Sequence, residues 1–336
     1  MTRLSKTLAL LTLATLSFAI PAALAQPFQD RAEVKDFIHM MSKDHGFNEL
    51  KLTALFARVE PSEKIISAIT RPAEGKPWYD YRPIFLTEKR IAGGVKFWNQ
   101  HQDELARAQK RFGVPAQIIT AIIGVESYYG RHKGRYRVMD SLSTLAFDYP
   151  ARGKFFRSEL VQFLLLSREE NRDPLSFMGS YAGAMGMTQF ISSSYRSYAV
   201  DFDGDNHRDL WDSPSDAIGS VANYMKRHGW IADAPIAIAA IVHGDDYKAI
   251  VDLGLKPKTS IGDMRKHGVE ITRDLPSDTM AALLAFETRQ GQEFWIGLDN
   301  FYAITRYNHS PLYAMAVYQL GEEIRERRAH LALELP

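Results

Sequence analysis

Glu126 is the acidic residue whose place in the sequence best suits catalysis. The stretch from Pro115 to Gly130 predicts one helix, since proline favours the first helical turn and glycine commonly follows the last. Glu126 extends the apolar stripe of this helix, because it follows the last two stripe residues by four and three positions. The stripe consists of Ile118, Ile119, Ile122 and Ile123. A carboxyl group on that face loses hydration in its charged form, so its pKa should rise into the range of a general acid at neutral pH.

Two observations leave the role of Glu126 open at this point. A glutamate near a helix end is also common on protein surfaces, where Arg131 would be an available partner. Enzymes that cleave glycosidic bonds generally use two carboxylates, and the nearest acids downstream in the sequence are Asp140 and Asp148. A mechanism with one carboxylate therefore needs a substrate that supplies the second reacting group.

A second group of acidic residues, Asp201 to Asp209, has the spacing of a cation-binding loop. Carboxylates stand at positions one, three, five and nine, as at the start of an EF-hand, and alternating oxygen ligands suit a hard cation such as Ca²⁺. The loop departs from that pattern at position six, where Asn206 replaces the usual glycine, and at position twelve, where Asp212 replaces the usual glutamate. Asparagine tolerates the left-handed backbone of position six better than most residues.

The elements that must position these residues are mostly helical. We predict a helical N-terminal region at 26–105, a helical core at 106–230, and a C-terminal helix at 304–336 that returns to the core, with Ser310 as its N-cap and Pro311 at its first position. Residues 231–303 change to short apolar runs bounded by turn residues, which indicates a small β-containing subdomain. These runs are Ile236 to Val242, Val269 to Ile271 and Phe294 to Ile296.

The segment from Arg71 to Pro83 interrupts the helical pattern of the N-terminal region. It contains three prolines and a glycine, so it predicts an extended loop. Its aromatic residues either line a binding groove or pack against the main body. They are Trp78, Tyr79 and Tyr81.

The N-terminus predicts an exported protein. Arg3 and Lys6 precede a short apolar run, and residues 23–25 have the A-x-A form of a cleavage site, so we expect 1–25 to be a signal peptide. Its removal leaves 39 of the 41 basic residues against 40 acidic ones, and this near-neutral balance argues against nucleic acid as a partner. The sequence has no cysteine, and Gln26 stands where a lipoprotein would carry one, so we expect no membrane anchor. The 46% hydrophobic content of the 336 residues is sufficient for a substantial core.

Several blocks of the sequence resemble the lytic murein transglycosylase B family in order and spacing. They are IGVESYYGR at 123–131, VMDSLSTLAFDYP at 138–150, SYAGAMG at 180–186 followed by QF, the acidic loop at 201–211, AIGSVANY at 217–224, and RYNHS at 306–310 followed by YA at 313–314. Together they cover most of the chain beyond the predicted signal peptide. The resemblance implies a mainly α (α+β) fold, in which a lysozyme-like helical core carries a helical N-terminal region and a small inserted β-containing subdomain.

The resemblance also implies an activity. A member of this family cleaves the bond between N-acetylmuramic acid and N-acetylglucosamine in peptidoglycan glycan strands without water, with Glu126 acting first as acid and then as base. The residues that match the family's substrate groove are Ser180, Gln189, Tyr307, Asn308 and Tyr313. Two alternatives remain open: a hydrolytic muramidase on the same fold and a peptidoglycan-binding protein without activity.

The family's acidic loop takes its closing carboxylate from further along the chain, which matches Asp216. The predicted metal ligands are therefore Asp201, Asp203, Asp205, His207 and Asp216, for a structural Ca²⁺ or Na⁺ and with no organic cofactor. Asp216 has a competing role, since Ser213 and Asp216 have the spacing of a capping box. Together with the signal peptide, the family implies a soluble periplasmic protein. The basic run from Arg131 to Arg137 is either a solvated loop or a contact for carboxylates of the peptide stems.

Overall fold

The computed structural model describes residues 26–70 and 75–334, so the predicted signal peptide lies outside the described residues. These residues form two compact units that divide between Arg58 and Val59. The smaller unit contains a 3-10 turn at Phe28–Asp30 and helices α1 (Ala32–His45) and α2 (Glu49–Phe56). Gly46 ends α1 in the left-handed conformation, and the Asn48 side chain caps α2 by accepting from the backbone N–H of Lys51 at 2.9 Å.

The larger unit begins with a helical region that contains α7, the predicted helix of Glu126. Its helices are α3 (Glu63–Ile69), α4 (Trp78–Phe85), α5 (Glu88–Gln100), α6 (Gln102–Phe112), α7 (Ala116–Ser127), α8 (Val138–Asp148), α9 (Gly153–Glu169), α10 (Ser192–Tyr198) and α11 (Pro214–Arg227), with a 3-10 turn at Pro174–Ser176 and a short antiparallel pair of strands, β1 (Tyr136–Arg137) and β2 (Met178–Gly179). The predicted start of α7 is confirmed, and the helix ends at Ser127, three residues before Gly130. This helix is apolar on nearly all sides and packs against α5, α6 and α11, as expected for a central helix.

The predicted β-containing subdomain follows α11. It contains β3 (Ala237–Val242), α12 (Lys248–Val251), β4 (Thr259–Ser260), α13 (Ile261–Lys266), β5 (Val269–Ile271), β6 (Met280–Thr288) and β7 (Gly291–Gly297). The strands pair antiparallel in the order β4-β6-β7-β3-β5. All three predicted apolar runs lie in strands, except that Ile236 directly precedes β3. One face of the sheet buries Ile238 and Ile296 together with Met264 of α13.

The longest strand, β6, was not among the predicted runs. Its alanines and leucines favour a helix on intrinsic propensity. Pairing with β7 from Ala282 to Thr288 overrides that preference.

The prediction of an extended loop from Arg71 to Pro83 is wrong for its second half, whereas residues 71–74 lie outside the described residues. Trp78 begins α4, and Pro83 lies inside that helix. Tertiary packing stabilises the helix: the ring of Trp78 lies 5.3 Å from that of Phe286, and its indole N–H donates to Glu293 at 2.8 Å. The packing alternative for Trp78 is thus correct.

The chain closes with α14 (Asp299–Thr305) and α15 (Pro311–Glu334), which packs against α4, α5, α7 and α14. The predicted start of α15 is confirmed, since the Ser310 hydroxyl accepts from the N–H of Tyr313 at 3.3 Å. The mainly α fold with a small sheet is confirmed as well. Across residues 26–70 and 75–334, every helix is too short or too polar to cross a membrane.

Candidate active site

Glu126 lies in the last turn of α7 and is only partly exposed. The Tyr313 hydroxyl, from the first turn of α15, donates to its Oε1 at 2.6 Å. Burial raises the pKa of Glu126 to about 7, and the bond from Tyr313 opposes this rise because it stabilises the carboxylate. Glu126 is therefore poised to exchange a proton near neutral pH.

Three tyrosines surround this carboxyl group. The rings of Tyr307 and Tyr313 are nearly parallel, with centroids 6.3 Å apart, and the ring of Tyr224 lies 4.7 Å from that of Tyr307. Burial raises the pKa of all three phenols, and the charge of Glu126 contributes in the same direction. The phenols therefore stay protonated and act as hydrogen-bond donors.

The loop that carries Gln189 is tied to these tyrosines. The Tyr307 hydroxyl donates to the carbonyl of Thr188 at 2.7 Å. Gln189 has a left-handed backbone with φ of 49°, and its amide donates to the carbonyl of Gly186 at 2.9 Å. Gln189 thus closes a turn beside the site, with its amide oxygen still able to accept a hydrogen bond.

Ser180 begins the same glycine-rich loop. Its hydroxyl oxygen accepts from the N–H groups of Ala182 at 3.2 Å and Ala184 at 3.0 Å, which leaves its O–H as a donor. Asn308 is the neighbour of Tyr307 and is partly exposed. The structure therefore brings Glu126, Gln189, Tyr307 and Tyr313 together, with Ser180 and Asn308 on the segments that carry them.

The sequence analysis did not single out the residues that hold the end of α7. Tyr128 and Tyr129 both have left-handed backbones, with φ of 53° and 60°, directly after the helix. Strained backbone of this kind is common at functional sites. The Tyr129 ring fits against Gly124, where a Cβ atom would lie 2.7 Å from it. Its hydroxyl donates to the carbonyl of Arg90 at 2.7 Å, and the Arg90 guanidinium donates to the carbonyl of Gly124 at 3.1 Å.

Ser127 and Tyr224 were missed too. The buried Ser127 hydroxyl donates to the carbonyl of Met187 at 2.7 Å, which joins α7 to the Gln189 loop. The Tyr224 hydroxyl donates to the carbonyl of Arg306 at 2.5 Å, beside Tyr307. Tyr224 belongs to a block that resembles the family, whereas nothing in the local pattern distinguishes Ser127 from a serine in any helix end.

The acidic loop gathers the carboxylates of Asp201, Asp203 and Asp205, with oxygen atoms within 4.8 Å of one another. Asn206 has the left-handed backbone expected at position six, with φ of 70°. Its N–H and that of Gly204 donate to the two oxygens of Asp201 at 2.8 and 2.6 Å. Closely spaced carboxylate oxygens, on a loop held by backbone hydrogen bonds to Asp201, fit a hard cation such as Ca²⁺.

Asp216 and His207 lie outside this group of three carboxylates. The Asp216 carboxylate is buried and accepts from the N–H groups of Phe202 and Asp209, both at 2.7 Å, so it holds the two ends of the loop. The helix start is capped instead by the Ser213 hydroxyl, which accepts from the N–H of Asp216 at 3.2 Å. The N–H of His207 donates to Asp205 at 2.8 Å.

Comparison with known proteins gives consistent matches. The family described as "Transglycosylase SLT domain" matches residues 29–322. The membrane-bound lytic murein transglycosylase B of Escherichia coli (strain K12) is 42% identical over 307 residues, which cover 88% of this chain and 84% of that protein.

Two solved structures are similar over nearly the same range. The soluble lytic transglycosylase SltB1 from Pseudomonas aeruginosa is 51% identical, with a TM-score of 0.84 over 88% of this chain and 99% of that chain. The Escherichia coli lytic transglycosylase Slt35 in complex with calcium is 42% identical, with a TM-score of 0.82 over 89% of this chain and 95% of that chain. Matches of this extent, on a helical core that holds a protonatable glutamate, establish that the chain belongs to the lytic murein transglycosylase family.

Proposed function

We propose that the chain cleaves the β-1,4 bond between N-acetylmuramic acid and N-acetylglucosamine without water, with Glu126 as its single acid and base. The observation that carries this proposal is the partly buried carboxyl group of Glu126, with a pKa of about 7 and a bond from Tyr313. Among the described residues, burial and the bond from Tyr313 account for its pKa shift, and no second carboxylate contributes to it. A paired carboxylate, as in most glycosidases, is thus not part of the proposal.

In the first step, protonated Glu126 gives its proton to the glycosidic oxygen as the bond to the anomeric carbon breaks. The N-acetyl oxygen of the muramic acid residue attacks the same carbon, so the substrate supplies the nucleophile. N-acetylglucosamine leaves as an alcohol. A carboxyl group with a pKa near the working pH is the most effective donor for this step.

In the second step, the Glu126 carboxylate takes the proton of the 6-hydroxyl of the same sugar. The 6-oxygen attacks the anomeric carbon and displaces the N-acetyl oxygen, which closes a 1,6-anhydro ring and restores the protonated glutamate. The Tyr313 hydroxyl stabilises the carboxylate between the steps, because a bond from a phenol favours the charged form.

The groove residues bind and orient the sugars in this proposal. The O–H of Ser180 and the amides of Gln189 and Asn308 hydrogen-bond hydroxyl and acetamido groups, and the faces of Tyr307 and Tyr313 pack on apolar faces of the sugar rings. The left-handed backbone at Gln189 supports this role, since strain of this kind is retained where a side chain must point in a set direction.

The test is digestion of purified peptidoglycan by the wild-type protein and by Glu126→Gln, with soluble products identified by mass spectrometry. We expect anhydro-muropeptides from the wild type and a loss of at least about 10³-fold in the variant, which keeps the shape of the side chain but cannot donate a carboxyl proton. Products heavier by one water would identify a hydrolytic muramidase. A protein that binds peptidoglycan and releases no product in either form would be a binding protein.

We further propose that Asp201, Asp203, Asp205, the backbone of His207 and Asp216 hold a structural Ca²⁺ or Na⁺. The three clustered carboxylates support this proposal, and Slt35 has been solved in complex with calcium. Bound there, the cation neutralises three like charges that repel each other in its absence. Isothermal titration of the chelator-treated protein with CaCl₂ tests the site, and Asp203→Asn should weaken the binding at least about tenfold.

We propose, finally, that the protein acts in the periplasm after removal of residues 1–25. The charged start, apolar run and A-x-A sequence support export. N-terminal sequencing of protein from the periplasmic fraction should give Gln26 as the first residue. Retention of Met1 would contradict this proposal.

A further inference from the structure

The basic run after α7 contains one lysine whose ammonium group is bound by other residues of the protein. The Lys133 ammonium group donates to the carbonyl of Trp211 at 2.7 Å and to the carboxylate of Asp212 at 2.9 Å, and its side chain is only 29% exposed. Both acceptors lie in residues 210–212, at the end of the acidic loop. Lys133 thus joins the connection after Glu126 to that segment.

The backbone of residues 133 and 134 contacts both ends of the loop at 179–189, which carries Ser180 and Gln189 and is called the substrate loop below. The carbonyl of Lys133 accepts from the Gln189 amide at 3.4 Å. Gly134, with φ of 96°, lies so close to Gly179 and Ser180 that a Cβ atom would be 1.9 Å from the carbonyl carbon of Gly179 and 2.5 Å from the nitrogen of Ser180. Only glycine fits at this position.

The segment that Lys133 holds supports the same loop from its other side. The indole N–H of Trp211 donates to the carbonyl of Met178 at 2.9 Å, and the N–H of Met187 donates to the carbonyl of Leu210 at 2.7 Å. Met178 and Met187 lie two positions before Ser180 and Gln189, respectively. The substrate loop therefore lies between residues 133–134 and residues 210–212, and the ammonium group of Lys133 joins these two segments.

We infer that Lys133 is a positioning residue, which fixes Ser180 and Gln189 in the geometry that binds the glycan. The inference rests on the proposed function, because it assigns Lys133 to the groove described there. A charged donor holds a backbone carbonyl more strongly than a neutral one. Without it, the connection at Lys133 loses its bonds to Trp211 and Asp212, so the Lys133 carbonyl that accepts from the Gln189 amide is held less firmly in position.

The experiment compares steady-state kinetics of Lys133→Met, Gln189→Ala and the double variant on a purified peptidoglycan tetrasaccharide. Methionine keeps the length of the side chain and removes the ammonium group. We expect Lys133→Met to raise KM about fivefold, the effect of one lost hydrogen bond to the substrate, with kcat within about twofold of the wild type. The double variant should have a KM less than about fivefold above that of Gln189→Ala, because Lys133 acts partly through that residue and partly through Ser180.

Binding and rescue provide readouts that a purely structural role would not change. In a Glu126→Gln background, Lys133→Met should raise the Kd of the tetrasaccharide by the same factor of about five. Lys133→Arg keeps the charged donor and should restore KM to within about twofold. Lys110→Met, at an exposed position on α6, is the matched control and should behave as the wild type.

The outcomes separate this inference from the proposed function. If Gln189→Ala raises KM and Lys133→Met does not, the groove assignment stands and the role of Lys133 is refuted. If Lys133→Met lowers only the thermal midpoint, Lys133 is structural and the inference is wrong. If neither variant changes KM or Kd, the groove assignment fails, and the inference fails with it.

Discussion

Replacing Tyr313 by phenylalanine should move the pH profile of the enzyme to higher pH. Glu126 must be protonated to act as an acid, so kcat/KM should fall as the pH rises through its pKa of about 7. The bond from the Tyr313 hydroxyl stabilises the charged form of Glu126 and so lowers that pKa. Tyr313→Phe removes this bond and keeps the ring that packs beside Tyr307.

The size of the shift follows from the strength of the bond. A hydrogen bond to a charged group contributes about 1.5–3 kcal/mol, and one pKa unit corresponds to about 1.4 kcal/mol, so complete loss would raise the pKa of Glu126 by about 1–2 units. Water replaces part of the bond, because Glu126 is partly exposed. We therefore expect the descending limb of the profile to move up by about one pH unit.

The assay is release of soluble muropeptides from peptidoglycan at limiting substrate between pH 5 and pH 9. Tyr307→Phe is the matched control, since the Tyr307 hydroxyl donates to the carbonyl of Thr188 and not to Glu126. The descending limb of the Tyr307→Phe profile should stay at the wild-type pH, even if kcat/KM itself falls. A limb that stays in place or moves to lower pH in Tyr313→Phe would refute the assigned hydrogen bond or the acid role of Glu126.

Three further results are expected. Glu126→Gln should raise the free energy of unfolding by about 2 kcal/mol at pH 8 and change it little at pH 4. Folding raises the pKa of Glu126 to about 7, so the wild type loses stability as the pH rises from the pKa of the unfolded chain toward 7, whereas glutamine does not titrate. Urea denaturation at both pH values measures the difference. Gly124→Ala should lower the free energy of unfolding by about 1–3 kcal/mol and reduce kcat, because its Cβ atom would collide with the Tyr129 ring; equal kcat would contradict the positioning role of that ring. In differential scanning calorimetry, CaCl₂ should raise the thermal midpoint of the wild type, because an ion that binds only the folded protein stabilises it. It should not raise the midpoint of the double variant Asp201→Asn with Asp203→Asn.

The elements were predicted well where one local pattern dominates. The start of α7 followed from Pro115 and its end to within three residues from Gly130, and the start of α15 followed from Ser310 and Pro311. Strand β6 and helix α4 were not predicted, because their local composition favours another state and packing against other elements reverses that preference.

The acidic loop was predicted in part. The spacing of its carboxylates and the left-handed backbone of Asn206 are local properties, so the sequence contained them. The contacts of Asp216 with Phe202 and Asp209 form only when α11 folds against the loop. Whether Asp216 also binds the ion stays a prediction.

The sequence by itself determined the type of protein, the position of Glu126 on an interior face and the spacing of the acidic loop, because periodicity and motif order are properties of the chain alone. Only the tertiary structure decided what surrounds Glu126. Tyr313 lies 187 residues away in the sequence, and its hydroxyl bond together with burial determines the pKa of the carboxyl group. The contacts of Lys133 with Trp211 and Gln189 likewise join distant segments, and such pairings depend on how helices and loops pack rather than on any local pattern.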